Sequence, residues 1–253
     1  PILFMFCLPS CEKDEVEVVA PPVVYGEVSD IDGNKYQTTK IGDQTWMANN
    51  LRVTKYNDGT AIPQASSQND FRLSAKGAYT FYNTDVSQAD KYGCLYNGLV
   101  IISDKNVCME GWHIPSSSEW NSLATTLGGF EVAGGKMKAV SDLWKTPNRD
   151  ADNVSGFSGL PGGSYCRVCL SNSGIFADES TDGYWWSKQV LEFFYLTNHR
   201  ADLRTKNTAD LNDGLVTGGK ESNWTVGVNY YWRSNFKFAL NYVMVDSEKR
   251  ANI

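Results

Sequence analysis

Apolar and polar positions alternate in short runs along most of the chain, and few stretches sustain a 3.6-residue period. Val28–Tyr36 reads as a strand, a turn and a second strand, with Asp32-Gly33 and Gly33-Asn34 supplying the positive φ of a tight hairpin. The second strand runs to Ile41, Gly42-Asp43 turns the chain, and Gln44-Thr45-Trp46-Met47 opens a third. The period changes at Ser116-x-x-Glu119, the pattern of a capping box in which each side chain satisfies a free backbone N–H. Pro115 disfavours an earlier start, and Trp120, Leu123, Ala124 and Leu127 fall on one helical face. Gly128-Gly129 ends this helix. A second short helix is expected over Val132–Val140, weakened at Gly134 and Gly135 by about 1 kcal/mol each relative to Ala. Leu160-Pro161-Gly162-Gly163 turns sharply, and Tyr184-Trp185-Trp186 begins a strand.

Near the C-terminus, Trp224, Val226, Val228, Tyr230 and Trp232 fall on one face of a strand and Thr225, Gly227, Asn229 and Tyr231 on the other. Arg233-Ser234-Asn235 turns, and Phe236, Phe238, Leu240, Tyr242 and Met244 continue an apolar face. The expectation is an α+β chain: two short helices against short twisted strands, followed by a C-terminal antiparallel β-hairpin with aromatic ends, like strands of outer-membrane barrels.

Composition narrows the function classes. At 42% hydrophobic and 21% charged residues the chain is globular rather than disordered. A net charge of −6 lacks the basic face of a nucleic-acid binder. Eight Trp, thirteen Tyr and 22 Gly suit many short strands and turns around large rings. No run of about 18 apolar residues offers a transmembrane helix.

Residues 1–10 begin with the apolar run Pro1–Leu8, which resembles the hydrophobic part of a signal peptide without its charged start. Leu8-Pro9-Ser10-Cys11 resembles a lipobox, whose cysteine thiolate takes the lipid. Cys11 is therefore the expected lipidation site and the membrane the expected first partner, because several acyl chains give stable anchoring. Residues 11–24 form an acidic tether. Its Glu12-Lys13-Asp14-Glu15 resembles the surface-export signal of Bacteroidetes lipoproteins, and Pro21-Pro22 stiffens it. The expected location is the outer membrane, exposed at the cell surface.

Catalytic and metal chemistry is thinly represented. The two histidines, His113 and His199, lie in no acid–base or ligand pattern. Asp30-x-Asp32-Gly33-Asn34 resembles the start of a calcium loop but lacks the later bidentate Glu. Asp150, Asp152 and Asn153 could offer oxygens, as many loops do. Cys166 and Cys169 form a CxxC without a second pair at zinc spacing. Cys94 and Cys108 are the better disulfide candidates, closing a loop of about 13 residues worth roughly 3 kcal/mol. Trp185 and Trp186 point to opposite faces of one strand, so one joins the core and the other could stack on a ligand. No catalytic residue, cofactor or metal is expected.

Four blocks in order resemble the Fibrobacter succinogenes major paralogous domain. The first is Gly33-Asn34-x-Tyr36 with Ile41-Gly42-Asp43-Gln44-Thr45-Trp46-Met47-Ala48-x-Asn50-Leu51. Tyr92-Gly93-Cys94-Leu95-Tyr96-Asn97 follows, then Cys108-Met109-Glu110-Gly111-Trp112-His113-Ile114-Pro115-Ser116-x-x-Glu119-Trp120-x-x-Leu123. The last is Gly156-Phe157-x-x-Leu160-Pro161-Gly162-Gly163 with Tyr184-Trp185-Trp186-Ser187. Met109 stands where the family usually has Pro. The resemblance covers residues 25–189 and implies a C-type-lectin-like fold, related to the sulfatase-modifying branch, with its last two strands missing here. After a junction at 190–208, residues 209–253 resemble the end of a phosphate-selective porin through Leu211-Asn212-Asp213, Gly218-Gly219, Val226-Gly227-Val228-Asn229-Tyr230-Tyr231 and Asn241-Tyr242-Val243. Two strands cannot close a barrel. Either two families have been joined, or the hairpin replaces the domain's missing strands. The expected function is a surface-anchored, non-enzymatic binding or adhesion module for a polysaccharide or cell-surface protein. The alternatives are an enzyme of the sulfatase-modifying type, with Cys166 and Cys169 as its candidates, and a porin fragment fused to the domain.

Overall fold

A computed structural model describes residues 23–166, 175–188 and 192–207, together with the strand segments 225–226, 229–231, 237–239 and 242–243. The architecture is α+β, with short helices and several small sheets.

The first sheet is an antiparallel meander of β1 (Gly26–Ser29), β2 (Lys35–Ile41) and β3 (Gln44–Met47). Its first turn is built around one carboxylate. Asp30 accepts hydrogen bonds from the backbone N–H of Asp32 (3.0 Å) and Asn34 (2.9 Å), from the Asn34 side-chain amide (2.9 Å) and from the Tyr36 hydroxyl (2.5 Å). Gly33 supplies the expected positive φ, 84°.

A loop-rich middle follows, with α1 (Gln68–Leu73), β4 (Tyr79–Thr80), α2 (Ala89–Tyr92), β5 (Leu95–Tyr96) and α3 (Gly98–Ile101). β4 and β5 pair antiparallel. The three helices, of 4–6 residues, were not anticipated. They are too short to show a period, and caps such as Ser67 and Asn97 define them instead. This region has its own apolar cluster of Val53, Tyr56, Ile62, Tyr79, Phe81, Val100 and Val107.

The capped helix α4 (Ser117–Thr126) forms as expected. Ser116 caps it, the reciprocal bond from Glu119 is present, and Trp120, Leu123 and Ala124 are buried. The next helix, α5, covers Phe130–Met137, two residues earlier than expected and ending before Val140. Gly134 and Gly135 lie inside it, where they permit contact rather than merely weaken the helix. A Cβ on Gly134 would collide with the carbonyl oxygen of Asp202, and one on Gly135 with that of Asp150.

The second sheet has five strands in the order β10-β9-β8-β6-β7: β6 (Gly162–Cys166), β7 (Ile175–Glu179), β8 (Asp182–Trp186), β9 (Glu192–Thr197) and β10 (Arg204–Asn207). The expectation that the domain loses its last strands after 189 is corrected here. β9 pairs with β8 over five residues and β10 with β9 over four. Phe194 and Leu196 of β9 are completely enclosed in the main core with Trp46, Trp120, Leu123 and Met137. Trp120 stacks on Phe194 with ring centroids 4.8 Å apart and 18° between planes, which joins α4 to the sheet.

Lys138 ties the loops at the end of this sheet. Its side chain has no exposed surface, and its ammonium donates to the carbonyl oxygens of Arg149 (2.8 Å), Thr197 (3.0 Å) and Arg200 (2.7 Å). Burial pushes it down to about 8, opposed by Asp150 and Asp202, so at neutral pH it keeps three protons for three carbonyls.

The C-terminal hairpin also forms. β11 (Thr225–Val226) pairs with β14 (Tyr242–Val243), and β12 (Asn229–Tyr231) with β13 (Lys237–Ala239), both antiparallel.

Candidate functional site

Cys11 and Cys169 lie outside the described residues, as does the export signal at Glu12–Glu15. Of Cys166, the structure describes only its backbone place at the end of β6.

The expected Cys94–Cys108 disulfide is not formed. Both are free thiols, half-buried against the second apolar cluster. Burial pushes each up to about 12, so neither forms a thiolate readily. Each is held by its own local anchor. The Cys94 amide donates to the Leu51 carbonyl (2.9 Å), and the Cys108 amide donates to the side-chain oxygen of Asn106 (2.9 Å).

Trp185 and Trp186 divide between faces as alternation requires. Trp185 packs against the main core, edge-on to Phe157, and its indole N–H donates to Asn50 Oδ1 (3.0 Å). Trp186 lies against Phe193, and its N–H donates to the Tyr96 carbonyl (3.0 Å). Both indole N–H groups are thus committed to ties within the domain.

The polar candidates are likewise engaged. His113 Nε2 sits 2.7 Å from Glu119 Oε1, whose other oxygen accepts from the Ser116 N–H (2.7 Å) and hydroxyl (2.8 Å). Burial opposes ionisation of Glu119, but the Ser116 and His113 hydrogen bonds outweigh it and hold the carboxyl below its ordinary value. His113 therefore extends the capping box. His199 Nδ1 contacts the side-chain oxygen of Asn198 (3.2 Å). Asp32 accepts from the Thr54 N–H (2.6 Å) and hydroxyl (2.8 Å) and pairs with Lys55 (2.8 Å). Asp152 caps Val154, and Asn153 exchanges hydrogen bonds with Ser158.

What the tertiary structure adds is a cleft of about 540 Å³ between three segments distant in sequence. Ser29, Asp30 and Ile31 form one wall, Val53 and Asn57 the second, and Val107, Cys108, Met109 and Glu110 the third. Two signals for it were present in the sequence. Ile31 is an apolar residue in an otherwise polar turn, and it stands 48% exposed at the rim. Met109, an apolar residue beside the exposed Glu110, is the other, and it lines the cleft.

The motif blocks thus build a scaffold. Glycines permit close approach, Asn50 and the tryptophans cross-link the elements, and the capping box starts the main helix. This defines an α+β domain whose motif residues support its architecture, with a cleft between three of its loops. The chain belongs to the Fibrobacter succinogenes major domain family, whose model matches residues 39–201. Residues 203–252 match the model of the phosphate-selective porins O and P. That second match begins before β10, so a strand within the porin-like stretch forms the edge of the domain's own sheet. No curated protein and no solved structure matches the chain. The two family matches fit a surface- or membrane-associated protein. Among the described residues no helix is long and apolar enough to cross a membrane.

Proposed function

We infer that this chain is a lipid-anchored binding or adhesion module of the outer membrane, displayed at the cell surface and performing no catalysis. One observation supports the reading: the first described residues and the cleft wall lie at the two ends of β1. The chain enters the domain at Val23, which packs against Gly156, and β1 leads from there to the cleft wall at Ser29–Ile31. Six extended residues span roughly 20 Å. The porin-like match at 203–252 supports the same membrane by a separate route.

Two measurements test the reading together. Metabolic labelling with a fatty acid should mark the wild-type chain and not Cys11→Ala, and protease added to intact cells should remove the domain. The purified chain should then retain a ligand on a combined glycan and protein array. Absence of label, or an array with no bound ligand, would count against it.

A further inference from the structure

The proposed binding role leaves open what is bound, a glycan or a protein, and the following rests on that reading. We propose that the cleft between the β1–β2 turn and Val107–Glu110 takes a protein segment presenting a Lys or Arg side chain among apolar residues.

Three observations point there. The first is the nature of the wall. Val53, Val107 and Met109 give it an apolar floor, and Ile31 adds an exposed apolar rim. Such a surface suits aliphatic side chains or the methylene stem of a Lys or Arg. The second is the absence of rings. Among the described residues, no Trp, Tyr or Phe lines the cleft. Sugar rings commonly lay an apolar face on an aromatic one, and here Trp46, Trp120, Trp144, Trp185 and Trp186 are committed to packing elsewhere.

The third observation is charge. Among the described residues, the wall contains two carboxylates, Asp30 and Glu110, and no Lys or Arg. The neighbouring acids are already neutralised: Asp32 by Lys55 (2.8 Å), Asp58 by Lys105 (2.9 Å) and Glu27 by Lys35 (2.8 Å). Among the described residues, no cation forms an ion pair with Asp30 or Glu110. The Asp30 oxygens are filled by the turn that they organise, yet the carboxylate brings negative charge to a partly water-excluded wall. Glu110 is exposed and available for direct pairing. Lys188 lies outside the wall, although its charge is felt at Cys108. A cationic, amphipathic segment complements this surface in both charge and polarity.

The test uses the full chain on an array of nonapeptides that combine a Lys or Arg with apolar residues, their Glu-for-Lys counterparts, and neutral oligosaccharides. Wild type should retain the cationic peptides and discriminate against the acidic ones, with retention weakening as salt is raised. Glu110→Lys, a surface change that leaves the fold intact, should lower retention of the cationic peptides by about tenfold or more, since it reverses a charge at the contact. Ile31→Asp at the rim should also lower retention, by removing the apolar edge. Equal retention of acidic and cationic peptides, or cationic binding unchanged by both variants, overturns the proposal. Oligosaccharide binding insensitive to both variants overturns it too, while leaving the broader binding role standing. No retention of any probe overturns both.

Discussion

Asn50 and Trp185, separated by 135 positions in the chain, are joined by a hydrogen bond of 3.0 Å from the indole N–H to the Asn50 side-chain oxygen. The other half of the same amide donates to the Tyr92 carbonyl (2.9 Å). One side chain thus links the segment after the first sheet, the end of α2 and the central strand of the second sheet. Replacing Asn50 by Ala orphans one donor and one acceptor in a half-buried setting. The expected loss is about 1–3 kcal/mol, read as a lower urea midpoint. A variant as stable as wild type would show that water replaces both contacts.

Gly134 offers a test of opposite sign to helix propensity. In an isolated helix Gly→Ala stabilises by about 1 kcal/mol. Here the added methyl would meet the Asp202 carbonyl oxygen, part of the loop before β10. Gly134→Ala should therefore lower Tm, and a rise would mean that this loop yields easily.

Lys138 should tolerate truncation poorly. Lys138→Met keeps the bulk of the side chain but leaves the carbonyls of Arg149, Thr197 and Arg200 without their donor. The expected cost is about 1–3 kcal/mol, as for buried acceptors left without a donor, measured by denaturant unfolding. Lys138→Arg should not rescue it, because a planar guanidinium cannot match three carbonyls arranged around a single ammonium.

The acid limb of stability should depend on Asp32. Burial opposes its ionisation, but the hydrogen bonds from Lys55 and Thr54 and the Lys55 charge outweigh that, so its folded value lies below the ordinary 3.8. A carboxyl depressed by folding contributes stability above its unfolded value and loses it as pH falls through the folded one. Urea midpoints collected between neutral pH and strong acid should fall less steeply for Asp32→Asn than for wild type below about pH 4. Identical slopes would assign the acid sensitivity to other groups.

Cys94 and Cys108 should behave as buried thiols. Alkylation of the native chain at neutral pH should be slow at both and complete after denaturation, because both thiols are raised to about 12. A peptide containing Cys94 linked to Cys108 in a non-reducing digest would contradict this.

The legible parts of the sequence were those governed by local chemistry. Asp32-Gly33 needs a positive φ, Ser116 and Glu119 cap one another across a single turn, and Trp120, Leu123 and Ala124 recur at helical spacing. Each is decided within a few residues, and the structure has all three. The C-terminal alternation likewise pointed to antiparallel strand pairs, because a one-residue slip would exchange the two faces. Less could be read from β9 and β10. Phe193–Thr197 is nearly all apolar, a run that does not separate strand from buried helix, and Arg204–Asn207 is a polar edge strand without alternating hydrophobicity. The disulfide expectation failed for a related reason, since loop length says nothing about where the side chains point.

The sequence alone therefore determined the turns, the caps, the main helix, the C-terminal strand pairs and the family. Tertiary structure decided which of these elements meet. Gly134 and Gly135 look like helix breakers until the backbones of Asp202 and Asp150 are placed against them. Ile31, Val53 and Met109 are unrelated positions until three loops converge to form the cleft. The difference is one of range. Caps and turns are satisfied by neighbours in the chain, whereas close backbone approach and a shared cavity wall exist only once distant segments are packed against one another.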